Sequence, residues 1–158
     1  MQHNTLIDAA TLAPLLSDPR IAVIDCRFDL AHPEAGRAAY LAAHIPGARY
    51  ASLDADLSAA VAPGTGRHPL PTPADFARTL GALGVDNDTQ VVAYDAANGA
   101  FAARLWWMLR WLGHRRAAVL DGGFAAWVAS GGAVAAGAVP AAGRRFAARA
   151  DEAAWLTT

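Results

Sequence analysis

The stretch QVVAYDAANGAFAARLWWMLRWL (90–112) is where this chain gathers the means for chemistry. It reads as a buried strand, a tight loop and a buried helix. In many α/β enzymes such a junction holds the reacting group. The loop aims backbone N–H groups at its centre, and the helix N-terminus adds partial positive charge. Here Asp95 opens the loop and is followed by Ala96, Ala97, Asn98, Gly99 and Ala100, with no Cys, Ser or Thr before the helix. A carboxylate at that point can accept the loop's N–H groups and fill the cradle itself. The expectation is an active-site geometry whose residues do not perform the reaction. Cys26, the only thiol, ends the apolar run IAVID, and free cysteine commonly packs as a small buried hydrophobe. Arg27 is adjacent, but successive strand side chains point to opposite faces, so no cation is placed to activate Cys26.

The elements that must position these groups alternate. IAVIDC (21–26), QVVAYD (90–95) and AAVLD (117–121) are short apolar runs ending in Asp or beside it, the pattern of buried strands. Between them, AGRAAYLAAH (35–44), TPADFARTLGALG (72–84) and AFAARLWWMLRWLG (100–113) have helical spacing. Thr72 is an expected N-cap with Pro73 at the first helical position, and Gly84 and Gly113 are expected stops. Asp121 is expected to cap the last helix, after which Gly122 and Gly123 allow close backbone approach. Strands alternating with helices imply a parallel sheet covered on both faces. Helix 100–113 is apolar nearly all round and therefore buried. Core packing is the favoured role for Trp106 and Trp107, with a partner-facing surface for one of them left open. Segment 52–71 lacks periodicity and holds several Pro and Gly, which marks a long ordered loop of the kind that often carries function.

The 158 residues suffice for one domain with a real core. Thirteen basic and fourteen acidic residues give a net charge of -1, which argues against a nucleic-acid partner. No apolar run reaches the ~18 residues of a membrane span. The N-terminus MQHNTLIDAATL lacks the basic start and apolar core of a signal peptide. With a single cysteine no intrachain disulfide can form, and the expected location is a reducing cytoplasm.

Five motifs now stand in order: VIDCR (23–27), HIPGA (44–48), VVAYD (91–95), LWWMLRWLGH (105–114) and LDGGFAAW (120–127). Together they resemble the rhodanese domain, specifically the first domain of two-domain thiosulfate or 3-mercaptopyruvate sulfurtransferases, over roughly residues 6–132. The resemblance implies an α/β, rhodanese-like fold with a parallel sheet of about five strands and helices on both faces. It also implies a reaction: a cysteine thiolate takes sulfane sulfur from a small anionic donor, becomes a persulfide, and passes the sulfur to cyanide or a thiol. Neither cofactor nor metal is implied. In catalytic members the cysteine opens the loop after the strand, where this chain has Asp95, and a carboxylate cannot carry sulfane sulfur. The chain is therefore expected to be a non-catalytic N-terminal domain over 1–136. A linker and the start of a second rhodanese domain, its partner, are expected over 137–158, with DEAAWLTT (151–158) as that start.

The same resemblance places Asp54 and His68 in the cleft between domains, where a carboxylate-held histidine can shuttle protons. Asp56 is the alternative to Asp54 if the register is shifted by two. Arg67 could draw an anionic donor to that cleft, although a solvated loop arginine is the favoured reading. RHPLP departs from the mercaptopyruvate pattern, so thiosulfate and 3-mercaptopyruvate both stay open as donors. Asp25 and Arg27 are expected to satisfy each other or loop backbone groups, and His44 to order the HIPGA turn. Arg104 is expected to pair with Asp95 or another carboxylate. The competing reading is a stand-alone, inactive rhodanese-like module for interaction or anion sensing. A phosphatase of related fold would need a loop Cys and a following Arg, which Asp95 and Ala100 do not supply.

Overall fold

The computed structural model describes residues 2–150, so the DEAAWLTT segment lies outside the described residues. Three apolar runs become the centre of the sheet: β2 (Ile21–Asp25), β4 (Gln90–Tyr94) and β5 (Ala117–Leu120). Two further strands complete it, β1 (Leu6–Ile7) and β3 (Arg49–Tyr50). All pairings are parallel, in the order β1-β5-β4-β2-β3. Five strands match the expected number, although β1 and β3 are too short to show a period in the sequence.

Alternation along the central strands sorts the core into two layers. Ala22, Ile24, Val91, Ala93 and Val119 face α3 (Pro73–Ala82) and α4 (Ala100–Trp111). Val23, Val92, Tyr94, Ala118 and Leu120 face α1 (Ala9–Leu12), α2 (Ala35–Ala42) and α5 (Gly123–Ala129). Thr72 caps α3 by accepting the Asp75 N–H at 3.1 Å, and Pro73 takes the first helical position as expected. α5 departs from expectation. Its N-cap is Gly122, in the left-handed region, and exposed Asp121 makes no capping bond. Trp106 and Trp107 are both half-buried against the core layer, while Trp111 is fully inside it.

Residues 137–149 run across the domain and bond to it repeatedly. Gly137 and Arg144 donate backbone N–H groups to Leu41 O and Gly81 O, at 2.9 and 2.8 Å. Asn87 exchanges two hydrogen bonds with Ala147. Phe146 enters the core against His114, a burial worth about 1.5–3 kcal/mol. His44 clamps the start of this segment. Its ring contacts Ile45 O at 2.8 Å and Gly137 O at 2.7 Å and stacks on Tyr40.

Candidate active-site cleft

The β2–β4 register pairs Asp25 with Tyr94, so the chain leaves both strands at one edge of the sheet. Everything chemical collects there. β4 delivers Asp95 at 2% exposure, and its carboxylate is saturated by the loop it opens. Gly99 N–H donates to Oδ1 at 3.0 Å, and Phe101 and Ala102 N–H donate to Oδ2 at 3.0 and 3.1 Å. These are first-turn amides of α4, the donors a helix leaves without internal partners. Asn98 accepts a further loop amide, from Ala100, at 3.0 Å. Gly99 sits at φ +84°, a conformation that lets the chain reverse into α4 without steric cost. The loop is closed from outside as well. Phe124 and Ala125 of α5 donate to Asp95 O and Ala96 O, at 2.8 and 3.0 Å. A Cβ on Gly123 would stand 2.6 Å from Asp95 O, so only glycine permits this approach.

β2 delivers Asp25 and Cys26. Asp25 is fully buried and takes a forked bond from Arg27, with Nη2 to Oδ2 at 2.6 Å and Nε to the two carboxylate oxygens at 3.2 and 3.0 Å. Tyr94 donates its hydroxyl to the same carboxylate at 2.9 Å, and Arg27 also reaches Ala43 O. The pair thus satisfies itself and the backbone, as expected. Cys26 points the other way, into the core, at 1% exposure. Burial pushes its thiol well above the ordinary range, and the carboxylates of Asp25 and Asp95 push the same way. Burial and neighbouring carboxylates of this kind favour the protonated thiol over the thiolate.

Beside the sealed loop lies an open cleft of about 340 Å³ lined by Phe28, Leu30, Asp54, Val61, Arg67 and His68. Its polar centre is a pair: His68 Nε2 stands 2.8 Å from Asp54 Oδ1. The His68 side chain is 19% exposed and Asp54 46%. With its proton on Nε2 the ring donates to the carboxylate and keeps Nδ1 as its basic nitrogen. Phe28 packs edge-on against His68, with ring centroids 6.2 Å apart, and also lines the space above the Asp95 loop. Asp56 is not part of this pair. It turns inward and accepts the Ser52 N–H at 2.7 Å, closing the loop's first turn. Arg67 borders the cleft and is exposed.

One expectation fails outright. Arg104 pairs with neither Asp95 nor another carboxylate. It donates to Leu57 O at 2.8 Å, to His68 O at 3.0 Å and to Ser58 Oγ at 3.4 Å. Asp95 already holds three amides and needs no cation, whereas the carbonyls of Leu57 and His68 take no donor besides Arg104 among the described residues. The contributions of Phe28 and Tyr94 were not visible in the sequence, since a lone aromatic carries no positional signal. Among the described residues no group of three or more His, Cys, Asp or Glu is arranged to hold a metal, and no helix is long and apolar enough to cross a membrane.

A five-stranded parallel sheet with this order, and with such a loop after its central strand, defines a class. The family model of the rhodanese-like domain matches residues 8–130, and the chain belongs to that family. It is 53% identical over 133 residues to a Pseudomonas aeruginosa protein named "Probable 3-mercaptopyruvate sulfurtransferase", covering 83% of this chain and 47% of that one. It is 41% identical over 119 residues to thiosulfate/3-mercaptopyruvate sulfurtransferase 2 of Arabidopsis thaliana, covering 73% and 33%. Among solved structures, 3-mercaptopyruvate sulfurtransferase from Leishmania major superposes with a TM-score of 0.81 at 34% identity, over 91% of this chain and 39% of that one. The chain spans about half, or less, of the length of the curated relatives it matches.

Proposed function

We propose that this chain is the non-catalytic, N-terminal rhodanese-like half of a two-domain sulfurtransferase. It lends the Asp54–His68 pair to a thiol carried on the second domain. One observation carries the reading: the residue that opens this loop is a carboxylate that takes three of the amides at the start of α4, where sulfur transfer needs a thiol. The cleft beside it remains open and holds a carboxylate-backed imidazole able to move a proton. In the reaction, the partner's thiolate attacks the transferable sulfur of a small anionic donor, the sulfane sulfur of thiosulfate or the thiol sulfur of 3-mercaptopyruvate. The donor's bond to that sulfur breaks with the electron pair leaving on the donor remnant, and the resulting persulfide passes its outer sulfur to cyanide or a thiol. Arg67 at the cleft rim suits an anionic donor, thiosulfate or 3-mercaptopyruvate. The buried, lone Cys26 suits a reducing compartment such as the cytoplasm. A stand-alone anion-sensing module is less well supported, because the Asp95 carboxylate already takes three amides at the N-terminus of α4 and adds negative charge there.

The test reads the gene beyond Thr158 for a rhodanese-like domain whose loop opens with cysteine, and assays the two-domain product with and without His68→Gln. Sulfur transfer that depends on the second-domain cysteine and falls with His68→Gln supports the proposal. A stop codon directly after Thr158, or turnover indifferent to both changes, overturns it.

A further inference from the structure

The pair that matters in this reading sits on a long surface loop. Asp54 and His68 are separated by fourteen positions, and their 2.8 Å contact is half exposed. A solvent-facing bond of this kind contributes at most about 1 kcal/mol and cannot by itself fix two stretches of loop. Ordering so long a loop costs backbone entropy that other contacts must offset.

The structure supplies one dominant tie. Arg104 projects from the second turn of α4 under the loop. Its Nη2 reaches Leu57 O at 2.8 Å and His68 O at 3.0 Å, and Nε adds a second, longer bond to Leu57 O at 3.3 Å. The guanidinium therefore holds the loop just after Asp54 and again at His68 itself. Ser58, which donates to Leu53 O at 2.6 Å, also accepts from Nη2 at 3.4 Å. Nearby, Ala59 N–H closes on Pro69 O at 2.8 Å. A planar fork with several donors suits this span, and a point charge does not. The first turn of α4, from which Arg104 follows, is in turn fixed by Asp95. A rigid path runs from the sealed cradle to the open cleft.

We infer that Arg104 is a positioning residue for the Asp54–His68 pair, tying the two sides of its loop to the helix that Asp95 anchors. This rests on the pair being functional, so the test separates the two claims. Long-range proton–nitrogen correlation on the 158-residue chain, with the imidazoles neutral, reads the His68 tautomer from its carbon-bound ring protons. In the parent the proton is on Nε2, and Asp54→Asn shifts the ring nitrogens toward a mixture. Arg104→Met keeps an apolar stem but removes every donor, and moves the His68 nitrogens to the Asp54→Asn values. Arg104→Lys restores part of the difference, and Arg110→Met on the same helix changes nothing. Backbone amide spectra report whether the sheet is intact. If Arg104→Met fails to fold, Arg104→Gln takes its place. A His68 ring unchanged in the folded Arg104 variant overturns the proposal. So does a parent ring that Asp54→Asn leaves unaltered.

In the two-domain product, Arg104→Met lowers kcat by up to about 100-fold, the cost of misplacing a reacting group by about an ångström, with little change in KM. Normal turnover in His68→Gln sinks the functional reading of the pair and leaves the tautomer result standing. Impaired His68→Gln with unimpaired Arg104→Met sinks the positioning role alone.

Discussion

The Asp95 loop and the Asp54–His68 cleft lie side by side at one end of the sheet and share Phe28, yet they are built on opposite principles. In the loop, donors and acceptors are matched internally: one buried carboxylate meets three amides, and two outward carbonyls meet the first turn of α5. In the cleft, a histidine and a carboxylate face solvent with capacity to spare, and their support comes from underneath. A carboxylate that stabilises a fold is surrounded by donors, whereas the pair in the cleft keeps part of its bonding capacity open to solvent.

Stability and activity should therefore respond in opposite senses in the two regions. The largest stability loss is expected from Arg27→Met, above the loop. It strands fully buried Asp25 with only the Tyr94 hydroxyl and a backbone amide, at a cost of about 3–5 kcal/mol. Asp95→Ala comes next, at about 2–4 kcal/mol, because three amides lose a charged acceptor. Urea midpoints check both, and an unshifted midpoint in Asp95→Ala would mean that water serves the cradle as well as the carboxylate does. On the cleft side, His68→Gln should move the midpoint by less than about 1 kcal/mol while impairing sulfur transfer in the two-domain product. A large destabilisation there would erase the contrast.

The smallest effect concerns Asp56, the inward-turned neighbour of Asp54. Burial, the larger influence, pushes its carboxyl up against the pull of the Ser52 N–H. A carboxyl raised on folding gives stability that is complete below its ordinary value of 3.8 and is lost as pH rises through the folded value. Asp56→Asn removes that dependence. Thermal midpoints of variant and parent should converge in acid, with the variant equal or slightly higher at neutral pH. A variant that falls further behind as pH rises would show that the charged form is the one the loop needs.

How much of this was legible in the sequence follows from where the determining forces act. β2, β4 and β5 announce themselves because strands buried on both faces must be continuously apolar, and α3 because Thr72, Pro73 and Gly84 are local signals. β1 and β3 are two-residue strands created by pairing alone. Asp121 was misplaced because local capping preference lost to a tertiary demand: α5 had to approach Asp95 closely, and Gly122 and Gly123 took the turn. Residues 137–149 read as a linker, and Phe146, which anchors them in the core, carries no periodicity. In the site, the Asp95 cradle could be read from strand, loop and helix order. The Asp54–His68 pairing could be read only through resemblance, since fourteen residues of aperiodic loop separate the two. Arg104 was assigned to Asp95 or another carboxylate by charge logic, but Asp95 was satisfied and the carbonyls of Leu57 and His68 were not.

The central claim is that this domain contributes a cleft and not a nucleophile. Its most direct test is sulfur transfer to cyanide by the 158-residue chain, with thiosulfate and with 3-mercaptopyruvate as donors, beside its Cys26→Ser variant. No saturable thiocyanate formation is expected from either protein. Saturable formation by the parent that disappears in Cys26→Ser would make the buried thiol a nucleophile and contradict the account.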